Sequence, residues 1–276
     1  SFPTRRSSDL KMIKILMSMY KNIKSCVRHR NTCTDFFTCT VGLRQGEILS
    51  PILYNVFIND LEIKLHENID SGITIEDIWI FLLFYADDTV IISDTVQGLQ
   101  NSLDKLFEYC SEWNIKVNIE KSKTVVFRAS GPVHANEKWK YGNEVLDNTD
   151  NFNYLGVIFS YTGSFIKQLT SLSKKGIKAL HLLYSKINVY IRNLDFTVLL
   201  NLFDSHVASV LSYGCEIWGF CKSQVLERVH KKFLKRLLHV NMNTNNEIVY
   251  GETGRFPLHI CRFKTIIKHW FNIIIY

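Results

Sequence analysis

The sequence predicts an α+β protein, and three observations carry that prediction. Short β-branched and aromatic runs are punctuated by polar turns, longer stretches repeat apolar residues every three or four positions, and the first pattern gives way to the second near residue 164. At 276 residues and 46% hydrophobic content, the chain can bury one large core or two moderate ones. No apolar run reaches the roughly 18 residues needed to cross a bilayer, and no basic start leads into an apolar signal segment. A soluble intracellular protein is expected, in nucleus or cytoplasm, with no membrane partner. The seven cysteines, Cys26, Cys33, Cys39, Cys110, Cys215, Cys221 and Cys261, include no Cys-x-x-Cys pair and are expected to be reduced thiols. Cys215 and Cys221 lie near His206 and His230, but their spacing matches no common zinc finger.

Taken in order, residues 11–20 are apolar on one face and read as the end of a helix. Residues 23–30 and 36–41 alternate around Asn31 and Thr32 as a hairpin, and a loop at 42–47 follows. From 48 to 66, Leu49, Ile52, Leu53, Val56, Phe57, Leu61 and Leu65 recur at helical spacing and predict one long amphipathic helix. Ser50 can cap its start, and Pro51 is tolerated in the first turn. Residues 78–84 and 90–92 read as paired strands. Asp94 or Thr95 can cap the next helix, whose buried stripe is Val96, Leu99, Leu103, Leu106, Cys110 and Trp113. Short strands are expected at 124–128, 139–141 and 152–159, then helices at 165–191, 196–211, 223–240 and 258–275. The domain reading is a non-native leader at 1–10, an α+β region at 11–163 and a mainly helical region at 164–276.

The predicted 78–92 hairpin has acids at its turn: Phe84, Tyr85 and Ala86 lead into Asp87 and Asp88, and another apolar run follows. Neighbouring carboxylates crowded on a tight turn repel unless protonated or bridged, and hard oxygen ligands suit Mg²⁺. The plain alternative is an Asp-rich turn, since Asp bonds its own backbone there. Charge is unevenly divided. Residues 1–163 hold 17 Lys or Arg against 20 Asp or Glu, a net of −3, whereas residues 164–276 hold 16 against 6, a net of +10. The densest basic clusters are Lys174, Lys175 and Lys178, then Lys231, Lys232, Lys235 and Arg236. Their helical spacing suits a plain solvated face, but with the charge split it points to a nucleic-acid backbone.

The run Gly42, Leu43, Arg44, Gln45, Gly46, Glu47, Ile48, Leu49, Ser50, Pro51, followed by Phe84, Tyr85, Ala86, Asp87 and Asp88, resembles the reverse transcriptases. Within them it is similar to the polymerases of non-LTR (LINE-like) retrotransposons. Asn118, Ile119, Glu120, Lys121 and Ser122 match that family's next motif, and Tyr154, Leu155 and Gly156 match its primer-contacting turn. Residues 212–219 and 254–258 resemble the segment that follows the polymerase in these elements. The resemblance implies a partial polymerase palm, an antiparallel sheet with packed helices, then a mainly helical thumb and post-polymerase region. It implies an RNA template, a DNA primer and deoxynucleoside triphosphates as partners, and Mg²⁺ (Mn²⁺ as the alternative) as cofactor. Two divalent ions would clamp the attacking and leaving oxygens of the transferred phosphoryl group. Asp87 is then a direct metal ligand and Asp88 a partial ligand or a brace. Tyr85 and Ala86 lie beneath the primer end, Gln45 and Gly46 meet the nascent base pair, and Arg44 meets a phosphate or is an ordinary surface arginine. Lys121 is the candidate general acid for the leaving pyrophosphate or else a solvated lysine, and Tyr154, Leu155 and Gly156 support the primer or else pack in the core.

The same resemblance leads one to expect a further metal-binding Asp on a strand before the Arg44 loop. Asp9 is the only acid before residue 35, and no apolar strand surrounds it. Residues 1–10 resemble a translated sequencing adapter. The expectation is therefore a fragment lacking the fingers and first catalytic Asp, inactive by itself, with any endonuclease beyond its ends. A non-catalytic nucleic-acid-binding remnant and an intron-maturase-like reverse transcriptase are the alternatives.

Overall fold

The computed structural model describes residues 7–40, 42–66, 71–134, 136–187, 194–220 and 222–275. Helices and small, mostly antiparallel two-stranded ribbons make an α+β architecture in two units, Ser1–Asn114 and Ile115–Tyr276. Among the described residues, no helix is long and apolar enough to cross a membrane.

In the first unit, α1 (Ser7–Tyr20) precedes β1 (Ile23–Ser25), β2 (Arg28–His29), β3 (Thr32–Cys33) and β4 (Phe37–Cys39). The expected hairpin forms, with Arg30 and Asn31 in its turn, one residue earlier than alternation suggests. Its outer ladder, Ile23 opposite Cys39, is offset by one residue from its inner one, Arg28 opposite Cys33, so the second arm bulges between them. The long helix expected at 48–66 is broken into α2 (Ser50–Ile58) and α3 (Leu61–His66). Asp60 stands at the break: its carboxylate accepts the Tyr109 hydroxyl at 2.6 Å, and its carbonyl accepts the Lys64 amide at 3.1 Å to open α3. The apolar stripe divides at the same point, with Leu61 and Leu65 buried but Ile52 and Val56 exposed.

Next come the ribbons β5 (Ile73–Ile75) with β6 (Ile78–Ile80) and β7 (Leu82–Tyr85) with β8 (Asp88–Ile91). The strand predicted at 78–84 is therefore two strands hinged at Phe81, the first pairing backward and the second forward. Phe81 is buried, its ring stacks on Trp79 with centroids 4.6 Å apart, and its carbonyl accepts the Ile92 amide at 2.7 Å. Thr95, not Asp94, caps α4 (Val96–Glu112), its hydroxyl accepting the Gly98 amide at 3.1 Å. From the predicted stripe, Leu103 and Cys110 are buried.

The second unit opens with β9 (Lys123–Thr124), β10 (Lys140–Tyr141), β11 (Glu144–Val145), β12 (Asp147–Asn148), β13 (Asn151–Tyr154) and β14 (Val157–Ser160). β9 pairs β12 in parallel, and β10 with β11 is antiparallel. The segment predicted as a strand at 152–159 folds back on itself as the β13–β14 hairpin. Val157 joins the helical core and Gln168 accepts the Ile158 amide at 3.0 Å, which ties this hairpin to the helices after it. These are α5 (Ile166–Ile187), α6 (Phe196–Phe203), a π-helical turn (Asp204–Ala208), α7 (Ser209–Leu211), α8 (Cys215–Trp218), α9 (Gln224–Leu237), α10 (Asn246–Thr253) and α11 (Leu258–Ile275).

Leu172, Leu180, Phe203, Leu211, Trp218, Leu226, Phe233 and Val249 build one core there. Phe203 stacks on His230 at 5.3 Å and on Phe233 at 4.3 Å. Burying each such side chain is worth about 1.5–3 kcal/mol. One polar knot crosses this core. Glu227 receives the Tyr250 hydroxyl at 2.6 Å and the Leu258 amide at 2.9 Å, and His230 Nδ1 lies 3.0 Å from it, so one carboxylate joins α9, α10 and α11. Burial alone would raise the Glu227 pKa, but the hydrogen bonds from His230 and Tyr250 outweigh it and hold it below its usual range. Helix α10 carries too weak a period to be seen in the sequence, and Asn245 caps it by accepting the Glu247 amide at 2.8 Å.

Candidate active site

The paired acids occupy the tip of β7–β8. Tyr85 pairs with Asp88, so the loop is two residues, Ala86 and Asp87, and Asp88 is already the first residue of β8. Ala86 has φ of 53°, the only positive value among these residues. Positive φ at the first central residue alone is the sign pattern of a II′ turn, where glycine is usual. An alanine held there costs roughly 1 kcal/mol. Tyr85, Ala86, Asp87 and Asp88 are all exposed.

The 42–58 segment is built against α1 and reaches the hairpin through α2. Arg44 donates to the Met19 carbonyl at 2.7 Å and pairs with Glu47 at 3.7 Å. Glu47 also accepts the Tyr20 hydroxyl at 2.7 Å, and the Ser50 hydroxyl donates to the Arg44 carbonyl at 2.6 Å. Ser50 therefore staples the loop instead of capping α2, and Arg44 spends part of its guanidinium on the fold. Gln45 and Gly46 are exposed at the turn, with Gly46 at φ of 84°. On α2, Tyr54 is close enough to Asp87 for that charge to act on it. Its pKa is raised by burial first, then by Asp87 and by Cys110. Tyr54 stands one position off the apolar stripe, so periodicity gave no reason to single it out.

In the second unit, Lys121 is exposed on a turn organised by Asn118, whose side chain accepts the Lys121 amide at 3.1 Å and whose carbonyl accepts the Ser122 amide at 3.0 Å. Tyr154 pairs with Val157 across a two-residue loop, Leu155 and Gly156, with φ of 47° and 82°. The Leu155 carbonyl accepts the Tyr213 hydroxyl at 2.9 Å.

Helices α5 and α9 run side by side. Ser173 bonds the Val225 carbonyl at 3.3 Å, and the Arg236 guanidinium sits 4.0 Å over the Tyr184 ring. Both pairs have the same offset in sequence, so the helices are parallel. Lys174, Lys175 and Lys178 are exposed on α5, as are Lys232 and Arg236 on α9, while Lys231 is half-buried. Lys235 departs from the sequence expectation: it is 6% exposed and donates to the Met242 carbonyl at 2.7 Å, so it faces inward. Lys167 and Arg228 are exposed and extend the stripes; isolated in sequence, they show only through helical spacing. No acid occurs in α5, and the single acid of α9 is the half-buried Glu227. Burial pushes the Tyr184 hydroxyl up to about 12, against the opposing charge of Arg236.

For a metal, Asp87 and Asp88 offer exposed, acceptor-only oxygens of the kind a hard cation takes. Among the described residues, no three His, Cys, Asp or Glu side chains gather into a set. The pair thus fits part of a Mg²⁺ shell, which ordinarily includes waters and substrate phosphates. Of the zinc suggestion, Cys221 lies outside the described residues. Cys215 is buried, and that burial, with the charge of Glu216, pushes its thiol up to about 11.

Residues 5–159 match the family model described as "Reverse transcriptase (RNA-dependent DNA polymerase)". The chain belongs to this reverse transcriptase family. Among curated relatives, this reverse transcriptase chain is 29% identical over 167 residues to the "Retrovirus-related Pol polyprotein from type-1 retrotransposable element R2" of Nasonia vitripennis, covering 58% of this chain and 16% of that protein. It is 24% identical over 208 residues to the "RNA-directed DNA polymerase from mobile element jockey" of Drosophila melanogaster, covering 71% and 22%. It is 25% identical over 280 residues to the "Probable RNA-directed DNA polymerase from transposon BS" of the same fly, covering 92% and 30%. The reverse transcriptase chain therefore spans less than a third of each of these relatives. Their names agree with the non-LTR resemblance of its motifs.

Proposed function

We propose that this chain is the nucleotide-joining part of a non-LTR retrotransposon RNA-directed DNA polymerase, its palm at 11–163 and its thumb and post-polymerase region at 164–276. The observation that carries the reading is the acid pair at the β7–β8 tip, both carboxylates exposed and held on a two-residue turn.

Mg²⁺, or Mn²⁺, held by Asp87 with Asp88 would supply positive charge beside the reacting phosphate. The chain's own side chains do the rest. Ala86, small and at the tip, leaves room for the primer sugar beside Tyr85. The Gln45 amide and the Gly46 backbone meet the nascent pair between RNA template and incoming deoxynucleoside triphosphate. Arg44 chiefly fixes that loop on α1. Lys121 delivers its proton to the departing pyrophosphate as the primer 3′-hydroxyl, giving up its own proton to solvent, bonds the α-phosphate and the α–β phosphoanhydride bond breaks. Tyr154, Leu155 and Gly156 support the primer. Lys174, Lys175, Lys178, Lys231, Lys232 and Arg236 grip phosphodiester oxygens without reading sequence.

Primer extension on an RNA template with Mg²⁺ tests this, run on the chain alone and on any longer reading frame that contains it. Synthesis by the longer protein that disappears with Asp87→Ala supports the reading. Synthesis that survives Asp87→Ala refutes it. A second reading, a binding remnant without catalysis, is favoured by the basic faces of α5 and α9. It predicts salt-sensitive RNA–DNA binding that persists in EDTA, with no synthesis from either protein.

A further inference from the structure

The Leu155–Gly156 turn is a poor sequence for the shape it holds. Positive φ at both central residues, 47° and 82°, is the type I′ pattern, which prefers Asn-Gly and strains a leucine. Such a tip persists only where its surroundings over-determine it. What surrounds it is Tyr213, 58 residues further along the chain, whose hydroxyl donates to the Leu155 carbonyl at 2.9 Å. The Tyr213 ring also lies so near Gly156 that a Cβ there would stand 2.8 Å from Cε1. Tyr213 is itself fixed from behind: the indole N–H of the buried Trp218 donates to its carbonyl at 3.0 Å. Yet Tyr213 remains 52% exposed, so its ring serves the turn more than the core. Residues 212–219, which the polymerase reading leaves without a task, thereby brace β13–β14.

Resting on the reading of Tyr154, Leu155 and Gly156 as the primer contact, we propose that Tyr213 is a positioning residue that sets the shape of this turn and so the seat of the primer end. It touches no reacting atom and acts through the Leu155 carbonyl.

The test uses the full chain and fluorescence anisotropy with two probes of equal length, a DNA primer recessed on an RNA template and a blunt RNA–DNA duplex. The wild type is expected to bind the recessed end more tightly. Tyr213→Phe, which keeps the ring and removes one donor, weakens recessed-end binding about 3- to 10-fold, the worth of one ordinary hydrogen bond. Blunt-duplex binding and the melting midpoint stay near wild type, and amide exchange at Gly156 and Val157 accelerates. Tyr213→Ala loses more of the preference; should it unfold, Tyr213→Phe decides alone. Tyr213→Phe binding the recessed end as the wild type does, or weakening both probes equally, overturns the proposal while leaving the primer-contact reading standing. A wild type with no preference for the recessed end removes that reading, and the proposal with it.

Discussion

Hairpins β7–β8 and β13–β14 each run four residues per strand around a two-residue loop, and each loop begins with a non-glycine residue at positive φ, Ala86 at 53° and Leu155 at 47°. Their surroundings differ. Three of the four residues of β7 are exposed, as are Asp88 and Thr89 on β8. In β13–β14, Val157 is buried in a core, the Ile158 amide is taken by Gln168, and Tyr213 holds the loop carbonyl. The units around them differ in the same sense. Leu61, Leu65, Phe81, Leu103, Tyr109 and Cys110 are the buried apolar side chains among the described residues of the first unit, while the second packs a large helical core. The tip of the first hairpin stays open to solvent, whereas in the second the loop is held from outside by Tyr213. That is the division expected if one tip must meet ions and substrates and the other must present a fixed form.

The sharpest way to break the comparison is Asp87→Asn. In a polymerising longer protein it should cut nucleotide incorporation by 100-fold or more, of the order seen when key electrostatic stabilisers are lost. Because Asp87 is exposed, the melting midpoint should move by no more than about 0.5 kcal/mol equivalent. Glu227→Ala acts on the opposite partner of the comparison. Leaving the buried His230, the Tyr250 hydroxyl and the Leu258 amide without their acceptor should cost about 3 kcal/mol in denaturant melts. Amide exchange should then accelerate at Ile158 and not at Val90.

The same carboxylate sets an acid limit. Its folded pKa is depressed, so its contribution is present above the unfolded value of about 4.3 and is lost as pH falls through the folded one. Helical signal should therefore erode below about pH 4 in the wild type, and Glu227→Gln should flatten that dependence. Gly156→Ala combines a positive φ with an approach of 2.8 Å to Tyr213 and should cost about 2 kcal/mol. The smallest effects come from easing the two tips. Leu155→Asn should stabilise by about 1 kcal/mol, since Asn-Gly favours a type I′ turn. Ala86→Gly should change stability by less than about 0.5 kcal/mol, as relieved strain is offset by chain entropy.

Much of this was legible in residue order. Alternation and period gave the first hairpin, α4, α5, α9 and α11, and the pairing of acids with apolar flanks marked β7–β8. What escaped was decided by single long-range partners. Asp60, at the point where a continuous apolar period divides into two helices, is bonded by Tyr109 from 49 residues away, and no short window of sequence contains both. Phe81 splits a uniform β-rich run because burial and pairing in two directions meet there. By alternation the 152–159 run reads as one strand, and only the resemblance marked Tyr154, Leu155 and Gly156 as a turn; Tyr213, which holds the Leu155 carbonyl, lies 58 residues away. At the site, Tyr54 and the inward Lys235 were invisible for the same reason, since a phenol beside a stripe and a lysine in a basic run look generic until their neighbours are known.

The parallel pairing of α5 and α9 sets a timetable for synthesis. Ser173 meets the Val225 carbonyl across 52 residues, so at ribosomal speeds of about 5–20 residues per second α9 emerges roughly 3–10 s after its partner. For that interval the core around Leu172, Leu180 and Leu183 has Val157, Phe203, Val207 and Leu211 but still lacks Leu226, Val229, Phe233 and Leu234 of α9. The nascent helix is a natural client for a holdase chaperone, and slowing translation between residues 188 and 223 should lower the soluble yield of this unit.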